Sequence, residues 1–422
     1  MTRSERGDRR AAAPGDEAAA AYLRSPRAIR ERCGALYASA LEGALDHWAV
    51  DEGRLGEVAE RVVRVTRAAY PDGRGIPGHS RWRHLSAGGV DRARALEERL
   101  DAAAATEDEK LAARFDLVIP SVLLDAGAGD RWRYREASGT TYARSEGIAV
   151  ASFDLFAAGA FSNDPAGAPL RADAAALEQT TGASLARGFQ VDETNPMVGL
   201  EGRATLMQRL GHAVRAYAPG AGGAGGEARL GHLGVQLHRA GLANGGTLAA
   251  SAVLAAVLES LGSIWPGREV SGGVNLGDVW THSRAGRVPF HKLSQWLTYS
   301  LFEPLEWAGL TITGLGELTG LAEYRNGGLF VDGGVLVPKH AGVLRDEHEV
   351  SSDVVIEWRA LTIALLDRTA HRVRGLLGLS EGDLPLAKVL EGGTWRAGRE
   401  LAAELRPGGG PPLRVRSDGT VF

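Results

Sequence analysis

Val288-Pro-Phe-His-Lys292-Leu-Ser-Gln-Trp-Leu297 is the stretch on which the reading of this chain turns. From Leu293 to Ala308 the apolar residues keep a helical spacing, which predicts a buried helix rather than a strand. Lys292 stands at its start, inside sequence that otherwise reads as core. Further on, Glu323-Tyr324-Arg325-Asn-Gly-Gly brings a carboxylate and a guanidinium into a second apolar run. An isolated buried charge costs several kcal/mol or more, so such groups are paired or do chemistry. Two readings stand side by side. Lys292, Glu323 and Arg325 form a salt-bridge network that fixes helix packing, or they form an electrostatic site for a substrate that carries a phosphate and develops positive charge.

Outward from this stretch the chain reads as mainly α. Tyr22, Leu23, Ile29, Leu36, Tyr37 and Leu41 fall near a 3.6 period. Val58 to Tyr70 predicts a helix stopped at Pro71-Asp-Gly, and Val90 to Ala104 predicts another. Asp116 to Ala126 fits a helix starting near Pro120, since proline suits a first helical position. Trp132 to Tyr142 reads as a short hairpin, and Ser145 is a candidate N-cap for a helix to Ala160. Val354 to Leu377 is a further long helix. The organisation expected is a disordered tail over 1–18, a single helical domain over 19–405 with a Gly-rich surface loop at 219–226, and a C-terminal tail over 406–422. One or two small β-hairpins complete it.

The 422 residues are 44% hydrophobic and 24% charged, with a formal net charge of -4. That balance suits a soluble globular protein and lacks the basic excess of a nucleic-acid binder. The most apolar window, Thr247 to Leu261, is too short for a membrane span, and the N-terminus lacks the apolar stretch of a secretory signal. A cytoplasmic protein with no nucleic-acid or membrane partner is expected. The one cysteine, Cys33, lies in a helical pattern and reads as core. None of the eleven histidines pairs at the i, i+4 spacing of a helical metal site, so neither metal nor cofactor is expected. Gly220, Gly222 and Gly225 match dinucleotide-binding glycine spacing but follow no strand.

Other segments offer chemistry. In His79-Ser80-Arg81-Trp82-Arg83-His84, His79 and Arg81 can grip an anion, and Ser80 can instead cap a helix anchored by Trp82. Arg144 and Ser145 open a helix whose free N–H groups favour anions. Asp278 and Trp280 occupy a turn-rich stretch, as site residues or as turn formers.

These phrases carry a family resemblance. Asp125-Ala-Gly-Ala-Gly-Asp130-Arg-Trp132-Arg-Tyr-Arg-Glu, Val288 to Ser300 and Gly320-Leu-Ala-Glu-Tyr-Arg-Asn-Gly-Gly-Leu-Phe-Val-Asp resemble the uracil-catabolism family of fungi and bacteria, long labelled a domain of unknown function. The resemblance covers about residues 20 to 405. It implies a place in a pathway that degrades uracil without reducing the ring, beside a cyclohydrolase-like protein and a phosphoribosyltransferase.

The chain is also similar, more distantly, to queuosine-salvage nucleotide N-ribohydrolases, whose helical fold is related to DNA glycosylases. Trp132 to Pro165 resembles their hairpin-plus-helix segment, and Val288 to Lys292, with His291, their Phe-Tyr-Lys phrase. Leu321-Ala-Glu323-Tyr324-Arg325 resembles an Ala-Asp-Tyr-Arg phrase whose Asp is the catalytic carboxylate, and Ile356 to Ala360 a Glu-Ile-Arg-Ala helix. Glu323 departs from that Asp, and one extra methylene matters where chemistry needs fixed geometry. The resemblance implies a DNA-glycosylase-like fold and an N-ribohydrolase acting on ribosylurea or its 5-phosphate. Glu323 and Lys292 would be catalytic. The salvage enzymes' base-contacting residues do not carry over clearly, and with the residue readings above the candidate substrate-binding residues are Arg325, Tyr324, His291, Arg144, Ser145, Trp132, His79, Arg81, Trp280 and Asp278. A metal-dependent amidohydrolase or deaminase, and a non-catalytic scaffold for the cyclohydrolase-like enzyme, are the alternatives.

Overall fold

The computed structural model describes residues 14–125, 128–129, 131–217, 227–266 and 268–416, and the Gly-rich 219–226 segment lies outside them. The long helix Asp353–Leu377 is buried along most of its length and packs against the helices Pro26–Leu41 and Leu55–Ala69. Pro26–Leu41 starts with proline at its first position and the Ser25 side chain accepting from Ala28 N at 3.2 Å, both ordinary start signals. Cys33 is buried in this packing, and burial pushes its thiol far above the usual range.

A second group of helices gathers around Glu107–Leu123, which touches Arg144–Ala157, Gly231–Ala243 and Lys292–Trp307. This helix begins well before Pro120. Its start is a capping box, with Thr106 Oγ1 accepting from Glu109 N at 3.3 Å and Glu109 Oε2 accepting from Thr106 N at 2.7 Å. Pro120 is thus tolerated inside a helix whose neighbours bury it. Asp116, on the same helix, is buried and accepts from Arg229 and from Gly231 N at 2.6 Å, which ties the Gly231 helix to it. One apolar cluster joins both groups and runs from Ile29 to Leu413.

Strands occur only in pairs among the described residues. Three hairpins appear where one or two were expected: Tyr134–Arg135 with Thr141–Tyr142, Val270–Ser271 with Val274–Asn275, and Val279–His282 with Gly286–Pro289. Three further pairs join distant segments, such as Trp48–Val50 with Leu336–Pro338 and Glu347–Glu349 with Arg414–Arg416. The helix Pro14–Leu23 begins inside the expected disordered tail, because Ala20 and Leu23 pack on Leu276 and Val279. Residues 1–13 lie outside the described residues. No described helix is long and apolar enough to cross a membrane.

Candidate active site

Three helices point their N-terminal ends at one cavity of about 310 Å³. They are Arg144–Ala157, Lys292–Trp307 and Tyr324–Asp332. Helix N-termini carry partial positive charge from aligned peptide dipoles, so their convergence favours an anionic ligand.

Lys292 is the first residue of its helix. His291 turns the chain into it with a left-handed φ of 47°. The Lys292 backbone N–H donates to Asp278 Oδ2 at 3.0 Å, so the helix end is held by a distant carboxylate. The Lys292 side chain is left for the cavity, where its ammonium has no hydrogen-bond acceptor among the described residues. Burial lowers its affinity for the proton, against the attraction of Glu323 and Asp125.

Glu323 is the N-cap of the third helix. Its Oε2 accepts from Arg325 N at 2.7 Å and its Oε1 from Asn326 N at 2.6 Å. Both oxygens are fixed in space, and each keeps lone-pair capacity. Burial raises its carboxyl above the usual value, opposed by those two N–H groups, Lys292 and Arg325. Arg325 is buried, donates Nη1 to Gly409 O at 2.7 Å and lies over the Tyr324 ring at 4.7 Å. Gly398 makes this possible from the other side, since a Cβ there would meet Arg325 O at 2.2 Å. The helix Trp395–Leu405 can therefore lie directly against the Tyr324 helix.

Arg144 has φ of 54°, a sterically costly value for a side-chain-bearing residue, and donates to Gly408 O at 2.7 Å. Ser145 is not the N-cap. Ala143 holds that position without a side-chain cap, and Ser145 Oγ instead donates to Asp125 Oδ1 at 3.2 Å. Asp125 Oδ2 accepts from Arg81 Nη2 at 2.8 Å. Burial pushes the Asp125 carboxyl up, but Arg81, His84, Ser145 and Lys292 together hold it below its usual value.

Of the residues singled out from the sequence, His79, Arg144, Ser145, Lys292, Glu323, Tyr324 and Arg325 meet at this cavity. Arg81 stands behind it, fully buried, holding Asp125. The other four do not line it. Trp132 is core, its Nε1 donating to Phe189 O at 2.8 Å. His291 turns away, with Nε2 2.8 Å from Leu23 O. Asp278 receives both Nη atoms of Arg359, at 2.8 and 2.7 Å, and Trp280 Nε1 at 2.7 Å. Burial pushes the Asp278 carboxyl up, but Arg359 leads the partners that hold it far below the usual range. Trp280 and Asp278 thus secure the Lys292 helix from outside the cavity.

Four contributors were missed. Asp125 ends the apolar run of its helix, where a carboxylate opposes the helix dipole, and that oddity was a readable signal. Trp296 lies one turn beyond Lys292 and was readable as the next residue on the same face. Trp395 and the Gly409–Pro411 segment come from distant chain with no local signal.

A mainly helical protein with a charged, aromatic-walled cavity at three helix N-termini is the class that this fold and site define. Within it, the chain belongs to the family described as a protein of unknown function, DUF1688, which it matches over residues 22–422. It is 39% identical over 409 residues to the protein named "Protein urg3" of Schizosaccharomyces pombe, covering 95% of this chain and 98% of that one. It is 37% identical over 438 residues to "Uracil catabolism protein 4" of Lachancea kluyveri, covering the same shares. The resemblance to the uracil-catabolism family read from the quoted phrases is borne out.

Proposed function

We propose that this chain acts in uracil catabolism as an N-ribohydrolase, cleaving a ribosylated, ring-opened uracil derivative such as ribosylurea or its 5-phosphate to urea and the sugar. The name of the Lachancea kluyveri relative supports the pathway. The observation that carries the chemistry is the shared cavity of Glu323, with its carboxylate fixed by two backbone N–H groups, and Lys292, with its ammonium unpartnered among the described residues.

Cleaving an N-ribosyl bond builds an oxocarbenium-like transition state. A preorganised carboxylate stabilises that positive charge without reorganising, often the largest catalytic term. Glu323 fills this role and orients the attacking water. Its extra methylene relative to Asp is taken up by folding back to cap its own helix. Lys292 keeps Glu323 ionised. Lys292, Arg325 and the uncapped start of the Arg144 helix suit a 5-phosphate, and Tyr324, Trp296 and Trp395 flank the planar ureido group.

The test is urea release from ribosylurea and from its 5-phosphate, with and without chelator. Release that survives chelation is the expected result. Release abolished by chelator would favour metal-dependent hydrolysis of the opened ring, and no urea from either compound would overturn the assignment.

A further inference from the structure

His79 is built into the cavity wall more elaborately than an anion-gripping residue requires. Its backbone N–H donates to Ala387 O at 2.9 Å, and its Nδ1 lies 2.8 Å from Glu391 Oε2. Burial pushes Glu391 up, yet His79 leads the groups that hold it below the usual carboxyl value, so it is an acceptor and Nδ1 carries the proton. The other ring nitrogen, Nε2, has no hydrogen-bond partner among the described residues and is not sealed off. It opens on the cavity that His79 lines.

Glu391 reaches this position through an unusual backbone. Residues Leu390–Thr394 form one π-helical turn, closed by Trp395 N–H donating to Leu390 O. Such i→i+5 turns cluster at functional sites. The wider turn brings Glu391 and Trp395 to the same imidazole, with the His79 and Trp395 ring centroids 6.3 Å apart. Gly393 is needed for it, since a Cβ there would lie 2.4 Å from Val62 Cγ1 and 3.0 Å from Val62 O. Trp296 covers the ring at 6.3 Å on another side. A carboxylate on one ring nitrogen and an open second nitrogen form the oriented imidazole of general acid–base catalysis.

We propose that His79, positioned by Glu391, is the general acid that protonates the leaving nitrogen, an assignment that rests on the N-ribohydrolase reading. As the C–N bond breaks, its electron pair stays on the nitrogen, which takes the proton from His79 Nε2. Water adds to the anomeric carbon and gives its proton to Glu323. The two groups return to their starting states through solvent, and the sum is riboside plus water giving urea and the sugar.

The ring meets Glu391, with Arg83 and Glu303 beyond it, His84 on the helix that follows it in the chain, and Asp125, Lys292, Glu323, Arg144 and Arg325 around the cavity. His84 does not compete as a proton donor, because burial and Arg81 push it down to about 4.

The experiment is the pH profile of kcat/KM for urea release in wild type, His79→Gln and Glu391→Gln. Wild type is expected to lose activity on the alkaline side as the imidazolium deprotonates. His79→Gln is expected to lose that limb and fall about 10²–10⁴-fold. Glu391→Gln should move the limb to lower pH, since a neutral partner no longer favours the charged imidazole. A folded His79→Gln that keeps both the rate and the limb overturns the proposal. A wild type that releases no urea defeats the functional reading instead. The proposal is then judged by nitrogen NMR of the imidazoles, with His79 assigned by difference. A His79 that shows no Nδ1-protonated tautomer overturns it independently of turnover.

Discussion

Two charged regions lie at the two ends of one contact, and their fates differ. Around Asp278, both carboxylate oxygens are occupied by Arg359, the Trp280 indole and the Lys292 backbone N–H. On the other side of that backbone N–H, the Lys292 side chain faces the cavity and makes no hydrogen bond among the described residues. Sequence alone marks both regions as charge inside core. The difference is hydrogen-bonding capacity: the Asp278 cluster uses its own to build, and the cavity holds capacity open for a ligand. A buried charge points to function when its bonding capacity is unfilled.

Removing a member of the closed cluster gives the largest expected effect. Asp278→Ala takes the carboxylate from a buried guanidinium and is expected to cost roughly 3–5 kcal/mol of stability, read from urea unfolding. The protein that remains folded should keep kcat/KM within about 10-fold. Lys292→Met should do the reverse. Urea release should fall about 100-fold, as when one electrostatic group is lost from a site, and the unfolding midpoint should hold or rise, because a costly buried ammonium is gone.

Acid separates the regions by sign. The depressed Asp278 carboxyl contributes stability that is present above its ordinary value of about 4 and lost as pH falls toward its folded value. The stability gap between wild type and Asp278→Asn should shrink from pH 5 downward. Glu323 is raised, so its folded form takes up a proton first, and wild type should gain on Glu323→Gln as pH falls through that raised value. Parallel slopes in the two comparisons would break the distinction.

The smaller effects sharpen it. Trp395→Leu should raise KM several-fold through lost stacking, about 1 kcal/mol, with kcat little changed. Arg144→Gly relieves the left-handed backbone strain, so stability should stay within about 1 kcal/mol of wild type even as KM rises. A loss well beyond that would assign Arg144 to holding the Gly408 carbonyl rather than the ligand.

Much of this was legible where the signal is local. Periodicity placed the helices around Lys292 and Val354, and charge inside apolar runs marked Lys292, Glu323 and Arg325. Thr106-Glu-Asp-Glu109 carried a readable helix start that the proline at 120 outweighed, because proline is ordinarily a poor interior residue and here tertiary burial tolerates it. Asp278 and Trp280 could not be separated from the site by sequence, since Arg359 reaches them only in the fold. Nothing near Trp395 or Gly409 announces a cavity wall, because their partners His79 and Arg325 lie far away along the chain. The strand pair Trp48–Val50 with Leu336–Pro338 was invisible for the same reason.

The central claim is that the open cavity, and Glu323 within it, does the chemistry. Urea release from ribosylurea 5-phosphate, measured side by side for wild type and a Glu323→Gln protein shown to be folded, tests it most directly. The account predicts a loss of about 10²–10³-fold in kcat with about 1 kcal/mol or less of stability change, since the amide oxygen still caps the helix. Turnover near the wild-type rate would contradict it and return Glu323 to a purely structural cap.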